Sequence, residues 1–242
     1  MNFKVINRLR QRFHPLSRLE QQRRAFYARL ANTDYPEQWR EWFQQPYPKT
    51  ETNLTALSYL VIDFETTGLN SMLDNILSVA AVPIDNLKLD LSRSWHQFVA
   101  RQQVKGDTAV VNHIVPQMLN GVENLDDVMN ELFYRMQGRI IIAHGSTIEK
   151  RFMYHYLASR YGLRSFPLLW LDTLKIERSL LNDSTQTDYR LSTIRQAYNL
   201  PEYICHNALI DAIAAGELFL AQLERLFGKQ RKLLGEVYKR SL

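Results

Sequence analysis

At 242 residues, 45% hydrophobic and 23% charged, the chain is long enough to bury an α/β core with material to spare. Its one cysteine, Cys205, excludes an internal disulfide framework, and no run of 18 apolar residues offers a transmembrane span, so the expectation is a cytoplasmic protein. The formal charge of +5 is unevenly placed: residues 1–58 carry ten Lys/Arg against five Asp/Glu, whereas residues 59–242 carry twenty of each.

Residues 1–58 read as a basic, mostly helical N-terminal extension. In the first 24 positions Lys4, Arg8, Arg10, Arg12, Arg18, Arg23 and Arg24 face only Glu20 among acids. After Ser17, the residues Leu19, Phe26, Tyr27 and Leu30 recur near helical spacing, which favours a helix packed on the body. Phosphate or anionic-membrane contact and an arginine-rich transit peptide are other readings of the same charges. The cluster Trp39, Trp42, Phe43 and Tyr47, mixed with Pro46 and Pro48, reads as packing rather than as a base-stacking platform.

The body is expected over 59–222, with strands near 59–65, 76–84, 94–100, 139–143 and 168–171. Helices are expected near 116–120, 125–137, 147–161, 173–182, 190–198 and 207–227. Three early strands without long helices between them imply an antiparallel meander, and the alternation after residue 125 implies parallel crossovers. A basic helical tail, 223–242, follows, with Arg225, Lys229, Arg231, Lys232, Lys239 and Arg240.

Three segments carry the chemistry. In Tyr59-Leu60-Val61-Ile62-Asp63-Phe64-Glu65-Thr66-Thr67-Gly68-Leu69, a buried strand presents Asp63 and Glu65 on one face, because side chains alternate. Two like charges buried side by side need compensation, and hard carboxylate oxygens suit magnesium or manganese. A helix cap plus an arginine pair is the alternative. The second segment, Arg139 to Glu149, is an apolar strand, a turn at His144-Gly145, and a helix. Its Ser146-x-x-Glu149 matches a capping box, in which Glu149 would only bind its own helix start. The third places His206 before a helix that carries Asp211 among small residues. A histidine there is suited to taking a proton from water near neutral pH.

Asp63-x-Glu65, the His144 turn with an acid five residues on, and His206-x4-Asp211 resemble the three motifs of the DEDDh 3′–5′ exonucleases, a family that includes the proofreading epsilon subunit of bacterial DNA polymerase III. Asp172-Thr173-Leu174 and Leu191-Ser192-Thr193-Ile194 also fit, so the resemblance spans roughly Tyr59 to Gln222. It implies an α/β, RNase H-like mixed five-stranded sheet flanked by helices. It also implies two Mg2+ or Mn2+ ions on Asp63, Glu65, Glu149 and Asp211, with His206 as the proton acceptor. Thr66, Thr67, Gly68 and Leu69 would cradle the terminal nucleotide. His144 would touch substrate or hydrogen-bond its own turn. The implied substrates are 3′ ends of single-stranded DNA or RNA, DNA favoured, with release of nucleoside 5′-monophosphates. A DNA polymerase partner is compatible, although no polymerase-binding motif is evident and stand-alone action is favoured. One departure matters. Glu149 stands where the family usually has Asp, and its extra methylene carries the carboxylate roughly 1.3–1.5 Å further. A weakened domain acting as a nucleic-acid-binding scaffold is the competing reading. Val111-Asn112-His113-Ile114 loosely matches a substrate loop, but out of register by a residue.

Overall fold

The computed structural model describes residues 13–31, 35–100, 122–181, 188–204 and 206–242. Strand β1 (Ser58–Thr66) is apolar on both faces and lies at the centre of the sheet. Leu60, Ile62 and Phe64 point into one core, and Tyr59 and Val61 into the other. A strand sandwiched in this way reads as a continuous apolar run, which is how it was legible beforehand.

Strand β2 (Ile76–Asp85) runs antiparallel to β1, with Asp63 opposite Ala80 and Glu65 opposite Ser78. The outer edge of β2 is shared by two short strands, β3 (Lys88–Leu89) and β4 (Trp95–Phe98). On the other side of β1, strand β5 (Ile140–Ala143) pairs in parallel, followed by β6 (Trp170–Asp172), parallel to β5. Six strands therefore fill five positions, giving the expected meander beside a parallel pair. β3 went unforeseen for a physical reason. It is two residues long and enters through Asn86 and Leu87, both with positive φ (52° and 55°). Such a turn is usually announced by Asn-Gly, not by Asn-Leu.

The helices are α1 (Pro15–Leu30), α2 (Glu37–Gln44), α3 (Leu125–Met136), α4 (Thr147–Tyr161), α5 (Thr173–Leu180), α6 (Leu191–Ala197), α7 (Ala208–Phe227) and α8 (Leu234–Arg240). All but the first two and the last match expected spans to within two residues; the expected helix at 116–120 lies outside the described residues. Helices α1 to α4 build the core under Leu60, Ile62 and Phe64. The other core takes α7, α8, Ile176 of α5, and Leu16 and Leu19 of α1.

The α1 helix is capped by His14, whose Nδ1 accepts from the Leu16 amide at 3.1 Å, with Pro15 in the first turn, where its missing N–H is harmless. Its buried face differs from the sequence reading. Tyr27 is exposed, and Arg23 takes the buried place, held by both oxygens of Glu20 and by the Phe43 carbonyl. The aromatic cluster packs as expected, with Trp39, Trp42 and Phe43 all buried.

One glycine sets the depth of α7 on the sheet. A Cβ at Gly216 would stand 2.8 Å from Leu89 Cδ2 and 3.1 Å from Val61 Cγ2. Only the absent side chain lets α7 lie this close to β1, and its first turn carries Asp211.

Candidate active site

Asp63 and Glu65 share the face of β1 that looks toward α7. Asp211, in the first turn of that helix, faces them, and the three side chains each offer an oxygen within 4.8 Å of the others. Asp211 is fixed by the loop in front of it: its Oδ2 accepts from the His206 amide at 2.9 Å and the Asn207 amide at 3.1 Å. Asn207 caps the helix through Leu209 and Ile210.

The electrostatics of this cluster are those of a cation site. Burial holds the Asp63 carboxyl well above its ordinary value, and Glu149, Asp211 and Glu65 all push it the same way. Burial, then Asp211, raises Glu65 to about 7. Asp211 is raised by burial, with the loop amides, His206 and Arg195 pulling back. Carboxylates crowded with too little positive charge to offset one another either keep protons or take a cation.

Glu149 stands outside the compact trio yet is the charge acting most strongly on Asp63. It is 4% exposed, and its Oε2 has no hydrogen-bond partner among the described residues. Burial raises its carboxyl most; its own backbone amide and Lys150 pull back, and Asp172 and Glu65 add to the rise. The capping box suggested by Ser146-x-x-Glu149 does not form. The Ser146 amide and hydroxyl both donate to Asp172 Oδ2, at 3.0 and 2.9 Å. Asp172 Oδ1 accepts from Gly145 and Leu174, so this one acid caps α5 and ties down the start of α4. Glu149 is thereby left without the Ser146 amide: it keeps a bond to its own backbone amide in the first turn, and its Oε2 is orphaned among acids. This donor set fits a hard divalent cation.

His206 has a left-handed backbone (φ 66°), is exposed, and lies close enough to favour the ionised form of Asp211. His144 is engaged at both nitrogens: Nδ1 with the Thr173 hydroxyl and Nε2 with the Tyr189 carbonyl, each at 2.9 Å. Burial lowers its proton affinity, in keeping with a neutral ring donating from one nitrogen and accepting at the other.

The turn after β1 begins at a register shift between Glu65 and Thr66. Thr66 donates to the Gly68 carbonyl at 2.7 Å, and Thr67 exchanges bonds with Asn75. The Asp74 carboxylate accepts from the Asn70 amide and the Thr67 hydroxyl and lies where a Gly68 Cβ would be, 2.5 Å away. This latch leaves Leu69, Met72 and Leu73 exposed at 71%, 78% and 80%. Met72 and Leu73 were missed in the sequence; two apolar residues in a polar turn were the available signal.

A mixed sheet with paired acids near the end of its central strand, facing an acid on a crossing helix, defines a class: the RNase H-like nucleases. A family model described as exonuclease, RNase_T, matches residues 60–219, and the chain belongs to that exonuclease family. Among relatives, the PolC-type DNA polymerase III of Thermotoga petrophila is 26% identical over 177 residues, covering 73% of this chain and 12% of the relative. That of Caldanaerobacter subterraneus subsp. tengcongensis is 28% identical over 169 residues, 69% of this chain and 12% of the relative. The chain thus spans about an eighth of the length of these relatives. The fold is shared with cell-death related nuclease 4 (TM-score 0.60, 15% identity, 71% of this chain and 65% of that one). It is shared also with exonuclease X bound to 5′-overhanging duplex DNA (0.56, 18%, 74% and 99%). A third neighbour is E. coli exonuclease I bound to a dT13 oligonucleotide (0.56, 15%, 70% and 41%). Among the described residues no helix is long and apolar enough to cross a membrane.

Proposed function

We propose that this protein is a metal-dependent 3′–5′ exonuclease that removes nucleoside 5′-monophosphates from single-stranded ends, DNA favoured over RNA. The observation that carries the reading is the convergence of Asp63, Glu65 and Asp211, three raised carboxyls that crowd one another. Two Mg2+ or Mn2+ ions would be held by these three, with Glu149 reaching them through water. When bound, such ions polarise the phosphate and neutralise charge on the attacking and departing oxygens.

The remaining roles fall to the chain itself. His206 accepts the proton as a water oxygen bonds to phosphorus. The phosphorus–O3′ bond breaks, and the departing 3′-oxygen takes a proton from solvent. Thr66, Thr67 and Gly68 receive the terminal nucleotide, and Leu69, Met72 and Leu73 give its bases an apolar surface. His144, with both nitrogens engaged, holds the β5 turn to α5 instead of touching substrate. Relatives named as polymerases make a polymerase partner compatible, and a neighbour described as an exonuclease I–ssDNA complex supports the substrate class.

The test is a 5′-labelled single-stranded DNA incubated with Mg2+ or Mn2+, with Asp63→Ala as control. A metal-dependent ladder of shortening products, absent in the variant, is expected. Release of the 5′ label as a mononucleotide would reverse the polarity. Binding without shortening would leave a scaffold. Parallel RNA and 5′-overhanging duplex substrates rank the ends.

A further inference from the structure

The loop from Tyr198 to Asn207 delivers His206 to the acids, yet it has little packing of its own. Pro201, Glu202, Tyr203 and Ile204 are exposed, and a cavity of about 290 Å3, lined in part by Thr193, Arg195, Tyr203 and Asp211, separates α6 from the loop and α7. Close-packed side chains therefore do not fix the path of this segment. A single guanidinium bridges the gap. Arg195, in α6, is 3% exposed. It donates to the Ala214 carbonyl of α7 at 2.7 Å, to the Pro201 carbonyl of the loop at 2.8 Å, and to Glu217 Oε2 of α7 at 2.8 Å. Its flat face lies 4.6 Å from the Tyr203 ring centroid, and the Tyr203 hydroxyl donates to the other Glu217 oxygen at 3.0 Å. One side chain thus ties together the helix before the loop, the loop itself and the helix after it. The planar fork of an arginine, with five donors and a stacking face, suits this geometry, and a lysine ammonium does not. Glu217 supplies the counter-charge that a buried cation requires.

We propose that Arg195 is a positioning residue for His206: the Arg195–Glu217–Tyr203 clamp sets the loop so that the imidazole is presented to the reacting water. The inference rests on the proposed nuclease reading, in which His206 takes the proton. Displacing a reacting group by about 1 Å costs up to roughly 100-fold in rate. Arg195→Met and Arg195→Lys should therefore lower kcat roughly 10- to 100-fold with KM little changed, and Tyr203→Phe and Glu217→Gln should give smaller losses in the same direction.

The deciding experiment is a double-mutant cycle with His206→Ala, with circular dichroism establishing that each variant is folded. Two residues acting as one unit are not additive, so Arg195→Met should add little to the loss already caused by His206→Ala. Full additivity, or a loss confined to KM, overturns the clamp as a positioning device. Should Arg195→Met fail to fold, Tyr203→Phe and Glu217→Gln in the same cycle decide it. Amide hydrogen exchange supplies a readout independent of turnover: the Arg195 variants should speed exchange across 202–207 while the Ala212–Phe219 amides of α7 stay protected. Unchanged exchange in the loop overturns the clamp. An inactive wild-type protein overturns the nuclease reading instead, and leaves the clamp to be judged by exchange alone.

Discussion

At the scale of single residues, protons and cations compete for the same oxygens. Glu65 is raised to about 7 from an ordinary 4.5, and Asp63 and Glu149 are raised with it. In the ion-free protein the folded state holds these protons longer than the unfolded chain does. The stability this confers is full below about 4.5 and is lost as pH rises through about 7. The melting temperature of ion-free protein should therefore fall between about pH 5 and pH 8. Millimolar Mg2+ should remove most of that fall, because a ligand that binds only the folded state stabilises it. Scanning calorimetry with and without chelator checks this, and a rising or flat ion-free curve would argue against crowded acids. Glu149→Ala should lower activity roughly 100-fold or more while raising the ion-free melting temperature at pH 8, since it removes one buried like charge. Undiminished activity would exclude Glu149 from the centre. The sequence left its role open because Ser146-x-x-Glu149 satisfies a local capping rule. The competitor that displaces it, Asp172, is 23 positions on and reaches the turn only through the pairing of β5 with β6. Local motifs cannot register a rival that arrives through space.

At the scale of elements, legibility followed periodicity. The apolar run of β1 and the long amphipathic helices α4 and α7 were read to within a residue or two, because each repeats one signal over many positions. Elements fixed by one or two residues were not: the two-residue β3, and the Asp74 latch that closes the turn after Gly68. Gly216 belongs to this second kind. In a helix interior a glycine is usually a defect, and replacing it by alanine gains up to about 1 kcal/mol in propensity. Here the added Cβ would meet Leu89 at 2.8 Å and the stiff Val61 at 3.1 Å, and overpacking of that kind costs about 1–3 kcal/mol. The clash should win. Gly216→Ala is expected to destabilise the protein in urea unfolding by about 1 kcal/mol, and to weaken Mn2+ binding by moving Asp211 away from β1. Calorimetric titration of the ion reads the second effect directly, and tighter binding would show that α7 does not set the site.

At the scale of the whole molecule, the sheet separates two cores: Asp63, Glu65 and Asp211 stand on the side of α7, and Glu149 comes from α4 on the other. Helices α1 and α2 belong mainly to the other side, where they are built into the interior. Trp39 of α2 is fully buried, with Tyr161 of α4 at 4.9 Å, Phe166 at 5.0 Å and Phe133 of α3 at 5.8 Å between ring centroids. The basic composition of the first 58 residues left phosphate contact open beside the favoured packing, and Arg23 is buried against Glu20 while the aromatics bind helices to helices. Trp39→Ala should therefore cost about 3–5 kcal/mol, whereas turnover per folded molecule should stay close to wild type, because Asp63, Glu65 and Asp211 lie on the far side of the sheet and Glu149 sits in the first turn of α4, at the opposite end from Tyr161. Trp39→Phe should cost far less. The Trp39 N–H has no hydrogen-bond partner among the described residues, so removing it forfeits nothing polar and relieves a buried, unsatisfied donor. Unfolding in urea, followed by activity titrated against the folded fraction, separates the two effects. A fall in activity per folded molecule would mean that α2 holds the site as well as the fold.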